Sequence, residues 1–227
     1  MKKVWTILPV VAAFAATPAF AQDTGFTARA ELRAGYDELR SELEIQDSAR
    51  TGDANESAIG YGAEVGVDFR LTSAILVGAY VGLDLSNIDQ CSEVFPSIFA
   101  GDEACIDAGR NFTAGLRAGL PLGEGNLIYV KAGYSNAKIK ASFATNGQDI
   151  NTQLFSASDT VGGYHLGAGF ELGLNQIGLG DGLYVKAEYV HTRYSDAFKS
   201  DLGQGESFNP TRHQLLAGVG IRFGAAR

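Results

Sequence analysis

From Phe26 to Asp37 the chain alternates strictly between apolar and polar side chains, and this period of two is its most restrictive feature. Phe26, Ala28, Ala30, Leu32, Ala34 and Tyr36 share one face, while Thr27, Arg29, Glu31, Arg33, Gly35 and Asp37 share the other. Successive side chains of an extended strand point to opposite faces, whereas a helix would scatter these charges around its circumference. The segment is expected to be a β-strand with one apolar and one charged face.

The same division recurs seven more times. Tyr61, Ala63, Val65, Val67 and Phe69 oppose Glu64 and Asp68, and Ile75 to Leu83 at odd positions oppose Tyr80 and Asp84. Phe112, Ala114, Leu116, Ala118 and Leu120 oppose Arg117, and Ile128, Val130, Ala132 and Tyr134 oppose Lys131 and Ser135. Tyr164, Leu166, Ala168, Phe170 and Leu172 oppose His165 and Glu171. Leu183, Val185, Ala187 and Tyr189 oppose Lys186 and Glu188, and Leu215, Ala217, Val219, Ile221 and Phe223 oppose Gln214 and Arg222. The connections alternate between short (71–74, 121–126, 175–182) and long and polar (38–58, 87–109, 144–159, 195–211). In an up-and-down barrel every second connection emerges at the same end, so the long loops gather at one rim and the turns at the other. The expected fold is all-β, an eight-stranded antiparallel up-and-down barrel.

Alternation alone leaves open which face is inside. A soluble barrel of the lipocalin type would bury the apolar face. Three features favour the inverse, a transmembrane barrel. Aromatics on the apolar face stand near strand ends, as interfacial girdles require: Tyr36, Tyr61, Phe112, Tyr134, Tyr164 and Tyr189 toward one rim, Phe26, Phe69 and Phe223 toward the other. The polar face is rich in Gly, which suits a narrow lumen. Its charges also balance in sign: Arg29, Arg33, Arg117, Lys131, Lys186 and Arg222 stand against Glu31, Glu64, Asp68, Asp84, Glu171 and Glu188. Buried ions must pair, so these twelve are expected to form a lumen charge network.

The first 21 residues read as a cleavable signal peptide, with Lys2 and Lys3 before an apolar run over 4–16 and then Ala19-Phe20-Ala21. Residues 22–227 form the barrel domain. Losing both lysines makes the formal charge of −8 two units more negative, which argues against nucleic acid as a partner. Cys91 and Cys105 share one polar segment of an exported chain, and a local disulfide is the favoured reading over free thiols or half of a metal site. Closing about fifteen residues contributes on the order of 3 kcal/mol in the chain-entropy model. His165 has lumen parity, while His191 and His213 fall on neighbouring strands, too few ligands for a metal centre. His191 with Ser195 is the one local Ser/His pair, without an orienting carboxylate of matching parity. No catalytic residue, metal or cofactor is expected.

The stretches Leu183-Tyr184-Val185-Lys186-Ala187-Glu188-Tyr189 and His213-Gln214-Leu215-Leu216-Ala217-Gly218-Val219-Gly220-Ile221-Arg222-Phe223 resemble the small OmpA-type eight-stranded barrels, specifically the outer-membrane immunogenic and porin-like surface antigens of Gram-negative bacteria. The resemblance implies a cell outer-membrane location amid lipid and lipopolysaccharide, and assembly by the barrel-assembly machinery. It implies a non-enzymatic protein that contributes to envelope integrity and presents four surface loops, whose ligand stays unidentified. A narrow porin-like channel and a lipid-modifying enzyme are the two rival expectations.

Overall fold

The computed structural model describes residues 25–44, 51–93, 103–123, 125–144, 155–175, 178–180, 182–195 and 210–224. The stretch expected to be a signal peptide lies outside them. Eight antiparallel strands follow one another: β1 (Phe26–Glu44), β2 (Thr51–Arg70), β3 (Leu76–Glu93), β4 (Glu103–Pro121), β5 (Leu127–Ala144), β6 (Phe155–Gly173), β7 (Leu183–Tyr194) and β8 (Thr211–Phe223). Each pairs with its sequence neighbour, and β1 pairs with β8, so the sheet closes into a barrel with no free edge. Closure lets every backbone group in a membrane find its partner on the adjacent strand.

The register fixes the geometry of closure. From Arg29 it passes through Gly66, Tyr80, Gly115, Gly133, His165, Thr192 and Arg212, then returns to β1 at Leu39. One circuit thus climbs from residue 29 to residue 39, a stagger that tilts the strands by about 40°. The turns at the lower rim are built locally. Leu122 donates to the Asn126 carbonyl at 3.0 Å across the β4–β5 connection, where Gly123 and Gly125 adopt φ of 80° and 81°. Left-handed backbone of that kind is costly for any side chain bearing a Cβ. Between β2 and β3, the Thr72 hydroxyl accepts from the backbone N–H groups of Ala74 (3.2 Å) and Ile75 (3.0 Å).

The connections opposite are shorter than the sequence suggests. Segments 38–58, 87–109 and 144–159 are expected to be long loops, yet most of the first two and the end of the third are strand, with β1 running to Glu44, β2 starting at Thr51, β3 reaching Glu93, β4 starting at Glu103 and β6 starting at Phe155. The first six strands have 18 to 20 residues, whereas β7 and β8 have 12 and 13. A tilted strand crosses a bilayer in about 9–11 residues. The surplus extends beyond one rim as paired hairpins. Beyond the apolar band the outward positions turn polar, as at Glu38 and Arg40, so the run of apolar outward residues ends while backbone pairing continues.

Burial is inverted relative to a soluble protein. Leu32, Leu116, Val130 and Leu166 are each more than 60 % exposed, while Arg29, Glu31, Glu64, Glu171 and Lys186 are buried. A continuous apolar wall of this extent is far larger than a soluble monomer carries. Along β1 it runs from Phe26 to Tyr36, and about ten residues tilted by about 40° span ~25 Å, the height of an outer-membrane apolar band. Leu116 sits mid-wall, so Leu116→Arg is expected to destabilise the folded barrel in liposomes by about 2–4 kcal/mol, measured by urea unfolding. The same substitution in a water-facing wall would be close to neutral.

Candidate functional site

The strands project a continuous set of polar side chains into the lumen. Arg33 sits at its centre, donating to Asp84 through Nε and Nη2 (2.8 and 2.9 Å), to Glu64 (2.6 Å) and to Glu188 (3.2 Å). Lys131 bridges Glu64 (2.7 Å) and Glu188 (3.2 Å), and Lys186 bridges Glu31 and Glu188. Arg29 meets Glu31, Glu64 (2.9 Å) and Asp68 (3.5 Å). Arg117 holds Asp68 through two nitrogens and reaches Glu171, which also takes Arg222.

These contacts join all twelve charges expected in the lumen into one cluster, with at least one member from each of the eight strands. An unpaired ion in such a site would cost several kcal/mol, which the pairing and hydrogen bonds offset. Three tyrosines frame the cluster. Tyr129 donates to Glu188 and Tyr184 to Glu31, both at 2.6 Å. Cations stand over the rings as well: Lys131 over Tyr80 (4.2 Å), Arg222 over Tyr184 (4.3 Å) and Arg117 over Tyr129 (5.1 Å).

Glycines on the same face make room for these groups. A Cβ on Gly169 or Gly220 would lie 2.4 Å from the Tyr129 or Tyr184 ring, and one on Gly78 would lie 2.1 Å from the Asp68 carboxylate. The lumen is therefore filled by large side chains seated over glycines of adjacent strands, as eight strands require.

Toward the rim of the extended hairpins the lumen changes character. His165 is enclosed, with the Tyr80 hydroxyl at Nε2 and the Ser135 hydroxyl at Nδ1 (2.8 Å). Arg212 makes a two-pronged pair with Asp37, and Tyr194 donates to Asn111 at 3.3 Å. Leu39, Val161, Val190 and Leu216 add apolar contacts. Sequence parity had the means to identify the Asp37–Arg212 pair, since Asp37 follows Arg33 by four and Arg212 precedes Gln214 by two. Arg212 was hidden by its place beside a polar connection. Tyr129 was hidden because Leu127-Ile128-Tyr129-Val130 is apolar on both faces.

The nine aromatics expected to form girdles lie as follows. Phe26, Tyr36, Tyr61, Phe112, Tyr134, Tyr164, Tyr189 and Phe223 are exposed on the outer wall, and Phe69 is half-buried against Phe26 with ring centroids 4.8 Å apart. His191 and His213 pair on the outer wall with centroids 4.7 Å apart. Ser195 is not brought to His191: it lies just past the end of β7, four residues on and about 13 Å away along the extended chain, and its hydroxyl donates to the Gly162 carbonyl at 3.0 Å. Among the described residues no three His, Cys, Asp or Glu side chains are grouped to hold a metal. Cys91 and Cys105 are direct register partners on β3 and β4, not residues at opposite ends of an open loop; their side chains lie outside the described ones. Beside the upper girdle, the hydrogen bond from Arg40 Nε (2.8 Å) holds the exposed Glu38 carboxyl below the usual carboxylate range.

A closed eight-stranded barrel with an apolar outer wall, aromatic rims and a charge-compensated lumen is a transmembrane barrel of the outer-membrane class. The chain belongs to the outer membrane protein beta-barrel domain family, whose model matches residues 6–223. It resides in the outer membrane. No curated protein matches the sequence. Among solved structures it is similar to Ail, the attachment invasion locus protein of Yersinia pestis, in complex with a heparin analogue (14 % identity, 86 % of this chain and 99 % of that one, TM-score 0.42). It is also similar to the N-terminal barrel domain of Pseudomonas aeruginosa OprF (14 %, 86 % and 97 %, 0.39) and the Escherichia coli outer membrane protease OmpT (11 %, 89 % and 99 %, 0.46).

Removing one partner from a buried ion network leaves its counter-charges uncompensated. Arg33→Met is expected to lower unfolding free energy by about 3–5 kcal/mol in urea titrations of the refolded barrel. Arg40→Met, at an exposed pair, leaves the unfolding midpoint in detergent where it was.

Proposed function

We propose that this chain is a non-enzymatic outer-membrane protein with a sealed lumen, contributing to envelope integrity and presenting its hairpin tips for surface contacts. One observation carries the reading: a single ion-pair cluster with a contribution from every strand crosses the lumen. A permanent water channel needs a wider barrel or a lumen lined by unpaired polar groups. The separation of Ser195 from His191 supports the absence of the lipid-modifying chemistry that such a pair would serve.

Planar-bilayer recording of the purified, folded chain tests the seal. No reproducible unitary conductance steps are expected, and regular steps that disappear on thermal unfolding would favour a narrow porin instead.

The hairpin of β3 and β4 is further proposed to carry a Cys91–Cys105 bridge. Directly opposed residues of an antiparallel pair have Cα atoms about 4.5–5.5 Å apart, inside the range that a disulfide spans. Intact mass before and after reduction is expected to differ by two hydrogens. Cys91→Ser is expected to leave the heat-modifiable gel band of the barrel in place, because lumen and girdles do not depend on that hairpin.

A further inference from the structure

The outer wall changes sign just above the aromatic girdle. Every described charged side chain that faces outward lies there: Arg40, Arg110, Lys138 and Arg193 against the single acid Glu38, which Arg40 already engages at 2.8 Å. This collar runs against the acidic balance of a chain whose formal charge is −8. It also lies below a hairpin bearing Asp89, Glu93, Glu103 and Asp107.

The collar is densest across β7, β8 and β1. Register sets Arg193 beside Thr211 and Thr211 beside Arg40; one pair further down, His191 stands beside His213 and His213 beside Glu38; below those come Tyr189, Leu215 and Tyr36. Adjacent strands are about 4.8 Å apart, so Arg40 and Arg193 bracket the two imidazoles at a backbone separation of about 10 Å. The Tyr189 hydroxyl lies 2.7 Å from Nδ1 of His213. With the tyrosine donating, the imidazole carries its hydrogen on Nε2, which leaves that nitrogen as a donor. Among the described residues, Arg193 meets no carboxylate.

We propose that Arg40, His191, Arg193 and His213 bind a phosphate of an outer-leaflet lipid, that of the phosphorylated glucosamine headgroup of lipopolysaccharide. The inference rests on the outer-membrane placement of the barrel. Two guanidinium charges, one of them shared with Glu38, and two imidazole donors match a phosphate's charge and its several acceptor oxygens. Depth selects the lipid over a soluble polyanion. These side chains leave the wall sideways, directly above Tyr36 and Tyr189 at the membrane interface, the height at which an acyl-anchored phosphate sits.

The test uses the full mature chain folded into phosphatidylcholine nanodiscs, with fluorescent bis-phosphorylated lipid A as the probe and the same lipid stripped of phosphate as its counterpart. Preferential retention of the phosphorylated probe is expected. R40Q/R193Q and H191Q/H213Q should each weaken it on the order of tenfold, the loss of one to two charge-assisted hydrogen bonds. R110Q/K138Q, on the other side of the barrel, should retain most of the affinity. Equal retention of both lipids would overturn the proposal, as would unchanged affinity in R40Q/R193Q. An equal loss in R110Q/K138Q would replace the site by a diffuse collar, and tighter binding of a soluble sulfated saccharide than of lipid A would assign it to a different ligand; either outcome also overturns it. The outer-membrane placement fails separately: a chain that gives no heat-modifiable band in nanodiscs contradicts the barrel itself, whereas a folded barrel blind to phosphate contradicts this site alone.

Discussion

A charge placed inside an eight-stranded wall has nowhere to be hydrated, so each one needs an opposite charge within the same lumen. Arg33 shows the consequence. It sits on β1 but contacts carboxylates of β2, β3 and β7, so its burial is tolerable only once those strands have closed around it. Glu64 and Glu188 stand in the same relation to Lys131 on β5. Pairing of this kind is a test of correct closure, because a one-residue slip would turn each of these side chains toward lipid. The stagger, the glycines under Tyr129 and Tyr184, and the apolar outer wall all fit around that requirement.

The inversion of burial follows from the solvent. In lipid, an exposed Leu116 or Val130 carries no penalty and the lumen becomes the only place for ions. The same sequence in water would leave a wall of leucine, valine and aromatic side chains bare. Aromatic side chains at both rims and a cationic collar above the upper one mark the change from hydrocarbon through interface to headgroup, each step visible along β1 from Leu32 to Tyr36 to Arg40. Paired hairpins then carry the chain further outward.

How far this was legible depended on the contrast between two faces. Within the bilayer the contrast is strong, so parity located Arg29, Glu64, Arg117 and Glu188 without any structure. Where both faces are apolar, at Leu127 to Val130, it failed to reveal Tyr129 as an inward residue. Where the outward face turns polar it failed again, and the strand continuations from Glu38 to Glu44 and from Thr51 onward read as loop. Partner identity was not legible at all. That Arg33 would take Asp84 in a two-pronged contact, or that Glu171 would take both Arg117 and Arg222, follows from register, which depends on the stagger of the closed barrel.

The central claim is that lipid lies against one parity of side chains and the filled lumen against the other. The chain's single tryptophan is Trp5, so a chain begun at Gln22 offers a dark background for single-tryptophan scanning. Tryptophan placed in turn at Phe112, Leu116 and Val130, and at the inward positions Tyr80, Tyr129 and Tyr184, can be read by quenching from brominated acyl chains in vesicles. Strong quenching at the first three with little at the second three is the predicted result. Equal quenching at both sets, or the reverse order, would contradict the barrel as an inside-out membrane structure.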